Sequence, residues 1–168
     1  MLSRQDALDI LGSSGCSEKV IAHCVAVADL ALEMALKLRS SGRDVDVALV
    51  EAGALLHDLG RARTHDITHA IAGVEVAEQN GIDQAIIEII KRHIGAGITR
   101  EDAKELGLPD DDYMPVTIEQ MIVAHADNLV KGTKRITLEE RILKMQENNL
   151  DPESIERVKA LAEELGTY

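Results

Sequence analysis

The sequence predicts an all-α fold, a single compact bundle of about eight to nine helices. Of the 168 residues, 45% are hydrophobic, yet Tyr113 and Tyr168 are the only aromatic ones. The core must therefore be built from Ala, Ile, Leu, Val and Met, a mixture that favours helices. Helix-capping residues and glycines recur at intervals, and no segment alternates in the manner of a strand. The length suits one domain with a sizeable core.

Start and stop signals divide the chain into short helices. The helices are predicted at 3–13, 18–41, 46–60, 67–80, 83–94, 99–106, 117–131, 137–149 and 152–165. Most begin at a Ser, Thr or Asp cap, as at Ser3 with Asp6, Thr99 with Asp102, Thr117 with Gln120, Thr137 with Glu140, and Asp151 before Pro152. Gly60 is predicted to end the third helix. Residues 96–116, with two prolines and three consecutive aspartates, are expected to form a loop or lid. The helices after residue 137 are expected to pack as a C-terminal extension on a core of about 18–135.

Charge and composition exclude several classes of partner. Thirty acidic against eighteen basic residues give a formal charge of −12, which opposes binding to a long nucleic acid or an anionic membrane. No stretch reaches the roughly eighteen apolar residues of a membrane span, and the first residues lack the apolar core of a signal peptide. A cytoplasmic location is therefore expected. Cys16 and Cys24 are expected to be reduced, since no CxxC pair suggests a thiolate zinc site.

The segment GALLHDLGR, residues 53–61, places two ionisable side chains in the most apolar predicted helix. His57 and Asp58 follow a run of Gly, Ala and Leu. An unpaired charge taken out of water costs several kcal/mol or more, so such a group is normally paired, hydrogen-bonded or bound to metal. The helix therefore predicts a partner for Asp58.

Three further histidines occupy inward-facing positions. His23 shares a face with Val27 and Met34, and His93 follows three isoleucines at helical spacing. His69 shares a face with small residues, including Gly73. For any one of these, a hydrogen-bonded core histidine is an equally good interpretation. His65 is expected in the loop before the fourth helix, where the HxxxH spacing to His69 would not form a helical metal pair.

Taken together, these side chains favour a metal centre. His23, His57, His69 and His93 lie on four separate predicted helices, and convergence on one point explains all four along with Asp58. Imidazoles with carboxylates suit divalent Fe, Mn, Co, Ni or Zn better than Mg or Ca. In the helix 117–131 periodicity alone favours His125, which lies on the apolar stripe, and leaves Asp127 as a solvated carboxylate.

The order of these residues resembles the HD-domain superfamily of metal-dependent phosphohydrolases. The resemblance covers roughly residues 18–135 and rests on His23, on His57-Asp58 in LLHDLGR and on Asp127 in VAHADNLV. It implies an all-helical HD-domain bundle in which His23, His57, Asp58 and Asp127 bind one metal ion. The resemblance thus selects Asp127 where periodicity selects His125.

Two more segments resemble the branch of this superfamily that binds two metals. THAIAGVEVAEQNGI around His69 and IIEIIKRHIGAGIT around His93 are similar to the segments that supply a second metal, with Asp58 bridging both ions. The small hydrolases of symmetric dinucleoside tetraphosphates, usually iron-dependent, belong to this branch. The chain departs from them at Ile94, where a second histidine commonly stands, and at Arg61, where many relatives have Lys.

The resemblance implies cleavage of a phosphoester or phosphoanhydride of a nucleotide or similar small substrate by a metal-bound hydroxide. Two metals about 3.5–4 Å apart lower the pKa of bound water toward about 7. Developing phosphoryl charge needs nearby cations. Arg61 and Lys131 are the candidates, Lys131 because it would lie one helical turn beyond Asp127, whereas Arg63, Lys134 and Arg135 are interpreted as surface charge. The residues predicted to act in catalysis are therefore Asp58, Arg61 and Lys131.

Two other functions fit the same residues. Some HD proteins with a similar ligand set use two irons to activate oxygen, which makes a di-iron oxygenase an alternative. The other is a non-catalytic helical binding module that a structural metal stabilises. A closed site without an exchangeable position would distinguish that module, since catalytic metals keep one position open.

Overall fold

The computed structural model describes residues 2–166, so Tyr168 lies outside the described residues. Within that range the chain forms nine α-helices and one short hairpin, which confirms the all-α prediction. Helices α1 to α9 are Arg4–Ser13, Glu18–Ser40, Val47–Leu56, His69–Gln79, Gln84–Arg92, Arg100–Glu105, Ile118–Asn128, Leu138–Glu147 and Pro152–Glu164; strands β1 and β2 are Val130–Lys131 and Lys134–Arg135. A 3₁₀ turn, Leu59–Ala62, follows α3. None of the nine helices combines the length and hydropathy needed to cross a bilayer.

The helices begin where the predicted capping residues stand. At α7 the Thr117 hydroxyl accepts a hydrogen bond from the Gln120 amide, and the Gln120 side chain accepts one from the Thr117 amide. The same reciprocal arrangement begins α1, with Ser3 and Asp6, and α8, with Thr137 and Glu140. Each cap stabilises its helix by about 1 kcal/mol because it satisfies amides that have no partner inside the helix.

Helix α3 lies at the centre of the bundle. Glu51 is its only charged residue, and Val50, Ala54, Leu55 and Leu56 are all fully buried. Such a helix is stable only when other elements surround it, and α3 contacts α1, α2, α5 and α7. A polar side chain at the end of α3 is consequently close to several neighbouring helices.

Helices α3 and α5 end earlier than predicted, and in each a histidine caps the end. Helix α3 stops at Leu56 instead of residue 60, and α5 stops at Arg92 instead of residue 94. The His57 ring donates from Nδ1 to the Ala54 carbonyl at 2.7 Å, and His93 donates to the Ile90 carbonyl at 2.7 Å. These bonds satisfy carbonyls that the helix end leaves without a partner. The residues expected inside two helices therefore cap them.

The end of α7 corrects two predictions. The helix stops at Asn128, and the chain turns through Gly132, whose φ of +62° favours glycine, so that β1 pairs with β2 in antiparallel register. The expectation of no strands was wrong at this point. The placement of Lys131 one helical turn beyond Asp127 was also wrong, since Lys131 is exposed on β1.

The segment 96–116 is a structured loop around the short helix α6. Ile98 and Tyr113 exchange backbone hydrogen bonds, and the Tyr113 hydroxyl donates to the Pro109 carbonyl at 3.0 Å. Ile98, Ala103, Leu108 and Tyr113 form a small second core, against which residues near His69 and His93 pack. The loop is thus attached to the part of the bundle that carries these histidines. A lid function for it stays a prediction.

Candidate metal centre

The structure brings the six predicted ligand side chains together at one end of α3. His57 and Asp58 follow that helix, and α2, α4, α5 and α7 or their ends supply the other four. The converging residues are His23, His57, Asp58, His69, His93 and Asp127. Four of them are at most 5% exposed, whereas the side chains of His23 and Asp127 are 18% and 24% exposed. The cluster is therefore buried on one side and open on the other.

One oxygen of Asp58 faces the first group of predicted ligands. Oδ2 of Asp58 lies 3.9 Å from Nε2 of His23 and 3.8 Å from Nε2 of His57. Asp127 completes this group, with its Oδ1 3.0 Å from Nε2 of His23 and 3.5 Å from Nε2 of His57. The group contains two imidazoles and two carboxylates.

The other oxygen of Asp58 faces a second group. Oδ1 of Asp58 lies 3.3 Å from Nε2 of His69 and 3.5 Å from Nε2 of His93. The two imidazole nitrogens are themselves 3.1 Å apart. Asp58 therefore stands between two sets of imidazoles and presents a separate oxygen to each.

All four histidines present Nε2 to the cluster for the same reason. Each ring places Nδ1 2.7 Å from a backbone carbonyl oxygen, which can only accept, so Nδ1 is the protonated donor in every case. The acceptors are the carbonyls of Ala54 for His57, Asp66 for His69, Ile90 for His93 and Gly132 for His23. Such bonds fix the ring orientation and tautomer of a metal ligand. Three acceptors lie three residues before their histidine, whereas the Gly132 carbonyl comes from the hairpin and carries no sequence signal.

The donor set fits a transition metal. Nε2 of His57 and Oδ1 of Asp58 are buried and have no hydrogen-bond partner within residues 2–166. A buried polar atom without a partner costs about 1–3 kcal/mol. Because Nδ1 is the donor in both rings, the Nε2 lone pairs of His69 and His93 also face each other at 3.1 Å. Metal–nitrogen bonds of about 2.0–2.1 Å place two adjacent ligand nitrogens about 3.0–3.4 Å apart, so a cation between them would remove this repulsion.

The pKa values of the cluster indicate two ionised carboxylates and one protonated imidazole. Burial lowers the pKa of His57, but Asp58 and Asp127 raise it more strongly, to about 9. Burial opposes ionisation of Asp58 as well, yet His57, His69 and His93 hold the pKa of this carboxyl far below its usual range. The pKa of Asp127 is also low, because His57 and His23 outweigh its burial. Without metal, a proton on His57 thus offsets part of the charge of two carboxylates.

Close packing of two glycines sets the distance between Asp58 and His69. A Cβ on Gly60 would lie 1.8 Å from the His69 carbonyl oxygen and 2.4 Å from the Gly73 nitrogen, so only glycine fits. The prediction of Gly60 as a helix C-cap was wrong, since it lies inside the 3₁₀ turn. The small residues expected beside His69 do allow the close approach of a neighbouring segment.

Arg61 is the cation that contacts the cluster. Its Nε donates to Oδ2 of Asp58 at 2.8 Å, and its Nη1 donates to the His65 carbonyl at 3.1 Å. Arg61, His23 and Asp58 line a cleft of about 320 Å³ that opens to solvent. Arg63 is held on the surface by Glu75 at 3.0 Å, as its interpretation as surface charge requires. Lys131 precedes Gly132, the residue that orients His23, and its role stays a prediction.

His125 lies apart from the converging side chains. It is fully buried and belongs to none of the potential metal-binding groups found in residues 2–166, whereas Asp127 belongs to one of them. Helical periodicity selected His125 because periodicity indicates which side chains are buried, and His125 is fully buried. Asp127, at the open side of the cluster, is only partly buried, and for that reason it does not follow the apolar stripe.

Known proteins resemble this chain in sequence and in fold. A family model described as HD domain matches residues 20–132. An uncharacterised protein of Methanocaldococcus jannaschii is 48% identical over 96% of this chain and 95% of its own length. The tRNA (cytidine(56)-2'-O)-methyltransferase of Thermoplasma volcanium is 44% identical over 97% of this chain, which spans only 46% of that enzyme. Ribonuclease Y of Acidothermus cellulolyticus is 30% identical over 86% of this chain and 27% of its own length.

A solved structure shares the fold. The HD domain of the L. monocytogenes phosphodiesterase PgpH superposes with a TM-score of 0.57 and 18% identity over 92% of this chain and 94% of that one. The same domain in complex with cyclic-di-AMP gives a TM-score of 0.58. The arrangement of nine helices is therefore that of an HD domain. With two thirds of its length matched by the family model and its His/Asp cluster in place, this chain belongs to the HD-domain family.

Proposed function

We propose that this chain is a two-metal phosphohydrolase that cleaves a phosphoester or phosphoanhydride bond in a small nucleotide. The observation that carries the proposal is the position of Asp58, whose two oxygens face two separate groups of Nε2 atoms. The first metal would be held by His23, His57, Asp58 and Asp127, and the second by Asp58, His69 and His93. The donor set favours Fe, Mn, Co, Ni or Zn over Mg.

The chemistry that two such metals supply is activation of water for attack on phosphorus. The side chains of this chain prepare the site for that reaction. The four Nδ1 hydrogen bonds hold the imidazoles in position without a substrate, and the buried Asp58 remains ionised. Arg61 lies at the cleft with an Nη2 that takes part in no hydrogen bond found within residues 2–166. Its guanidinium is suited to a phosphoryl oxygen, on which charge increases during the reaction.

The relatives support a phosphodiester as the bond that is cleaved. PgpH is named a phosphodiesterase and was crystallised with cyclic-di-AMP, and another relative is a ribonuclease. A small substrate suits the cleft of about 320 Å³ and the net charge of −12, which repels a long polyanion. Dinucleoside tetraphosphates remain a more specific candidate, although Ile94 departs from that group of hydrolases.

A second candidate is cleavage of RNA. The match between nearly the whole chain and half of a tRNA methyltransferase, together with the ribonuclease relatives, favours it. An RNA end, rather than a duplex, is the form compatible with the acidic surface, because few phosphates then approach the protein.

The test is a substrate panel with the purified protein loaded with Fe, Mn, Co, Ni, Zn or Mg. Substrates are bis(p-nitrophenyl) phosphate, cyclic-di-AMP, a dinucleoside tetraphosphate, mononucleotides and a short oligoribonucleotide. Product release by the wild type, lost in Asp58→Asn and retained in the surface control Asp9→Asn, is the expected result. No product with any metal from a folded protein would contradict the proposal. Oxygen uptake by the iron-loaded protein without hydrolysis would favour the di-iron oxygenase, and tight metal binding without either activity would favour a binding module.

A further inference from the structure

A second cavity lies beside the metal centre, and its lining contains none of the residues assigned to the proposed chemistry. Its volume is about 450 Å³, within the range of small-molecule sites. Ile94 and Gly95, which directly follow His93, line it, and so does Ile67, two residues before His69. The opposite wall comes from α8 and α9, the helices expected to serve only as a packing extension. The cavity thus adjoins the second group of ligands.

Arg141 on α8 is the unusual residue of this wall. Its Nε is buried and has no hydrogen-bond partner among the described residues 2–166. Burial lowers the pKa of Arg141, whereas the charge of Asp127 opposes that effect, so the guanidinium is within electrostatic reach of the metal centre. Arg157, on the same cavity, also has a buried Nε without a partner among these residues, but its Nη2 donates to Asp102 at 2.6 Å and to Ser154 at 2.9 Å. A buried arginine donor without an acceptor is costly unless a ligand supplies one.

The rest of the lining indicates which chemical group, besides a phosphate bound by Arg141, the cavity would suit. Ile67, Ile94, Met145 and Leu150 give the cavity apolar walls, and Asp102 and Ser154 place polar groups at one side. A flat apolar ring with polar edges matches this combination, since apolar walls with a few polar groups fix the orientation of a ligand. A nucleobase has this chemistry, and Arg141 matches the phosphate attached to its sugar.

We propose that this cavity binds the nucleoside part of the nucleotide substrate and that Arg141 donates to a phosphate oxygen between the cavity and the metal centre. This inference rests on the proposed function and deepens it by assigning the recognition of the substrate to α8 and α9. It makes the C-terminal helices a part of the binding site and predicts that a phosphoester without a nucleoside is recognised more weakly.

The test uses binding, so that it does not depend on turnover. Isothermal titration of the Mn-loaded protein compares adenosine 5'-monophosphate with inorganic phosphate. The wild type should bind the nucleotide at least ten-fold more tightly. Leu150→Trp, a substitution at the half-exposed cavity rim, should remove this preference, and Arg141→Gln should weaken nucleotide binding about ten-fold or more.

Two controls on α8 match these variants. Lys144→Gln removes the same charge from an exposed position, and Leu143→Trp adds the same ring at a 59% exposed position outside the cavity lining. Both should bind the nucleotide as the wild type does. Thermal melts identify a variant that fails to fold, in which case Leu106→Trp on the other rim replaces Leu150→Trp.

The two proposals fail in different ways. Equal affinity of the wild type for nucleotide and phosphate, or cavity variants that bind like their controls, would overturn the nucleoside site even if the enzyme hydrolyses phosphoesters. A nucleotide preference that Leu150→Trp abolishes, together with weaker nucleotide binding by Arg141→Gln, supports the site even if the substrate panel shows no hydrolysis.

Discussion

Metal binding should displace a proton from His57, which makes the metal affinity depend on pH. The metal-free protein holds the pKa of His57 at about 9, because the adjacent carboxylates outweigh its burial, whereas a metal requires the neutral ring. At pH 7, two units below this pKa, the metal must therefore displace about one proton. This displacement costs about 2.7 kcal/mol, or about 100-fold in affinity. The apparent affinity should rise about ten-fold per pH unit from pH 7 and level off near pH 9.

The assay is calorimetric titration with Mn²⁺ or Co²⁺ at pH 7, 7.5, 8 and 8.5, in buffers of different ionisation enthalpy. About one proton should be released at pH 7. His57→Gln should lose most of this pH dependence, and His65→Gln, which changes an exposed loop histidine, should keep it. A wild-type affinity that is constant over this range, with no proton released, would refute the assignment of a proton to His57.

Protonation of His57 should also make the stability of the metal-free protein depend on pH. A pKa raised from 6.5 to about 9 in the folded state stabilises it below pH 6.5, and this contribution is lost as the pH rises through 9. The loss amounts to about 3 kcal/mol for this fully buried group. Urea denaturation in the presence of a chelator at pH 6.5 and 9.5 measures it. An equal free energy of unfolding at both pH values would contradict the prediction.

Five substitutions test the geometry of the site. His23→Ala and His69→Ala should each remove one of two bound metal equivalents by elemental analysis, whereas Asp58→Ala should remove both, since its two oxygens face the two groups separately. Arg61→Ala should keep the metal and raise KM for the phosphoester about 10- to 100-fold, the value of one to two charge-assisted hydrogen bonds. Gly60→Ala should destabilise the fold by more than about 3 kcal/mol, because its Cβ meets backbone atoms of α4.

Each of these predictions has an outcome that would contradict it. Full metal content in Asp58→Ala would show that the ligand assignment is wrong, and loss of metal in Arg61→Ala would make that residue a structural support of Asp58. For Gly60 the matched control is Gly12→Ala, a position inside α1 with open space around it, which should stabilise the protein by about 0.5–1 kcal/mol. Equal effects of the two substitutions on the urea midpoint would argue against the close contact.

Local patterns in the sequence determined the helices of this protein and five of its six candidate ligands. Caps such as Thr117 with Gln120 act within one turn, so they are visible without the fold. The aliphatic composition requires a helical core, and buried charges such as Asp58 require compensation wherever the chain places them. The order of His23, His57-Asp58 and Asp127 adds the resemblance to HD domains.

Only the tertiary structure decided how those residues act together. Periodicity reports which face of a helix is buried, and for that reason it favoured His125 over Asp127. The distribution of the two Asp58 oxygens between separate groups depends on how closely Gly60 packs on α4. The Gly132 carbonyl and Arg141 come from elements distant in sequence, and their positions follow from packing. Helix signals are local, whereas a metal centre and its cavity result from contacts between segments far apart in the chain.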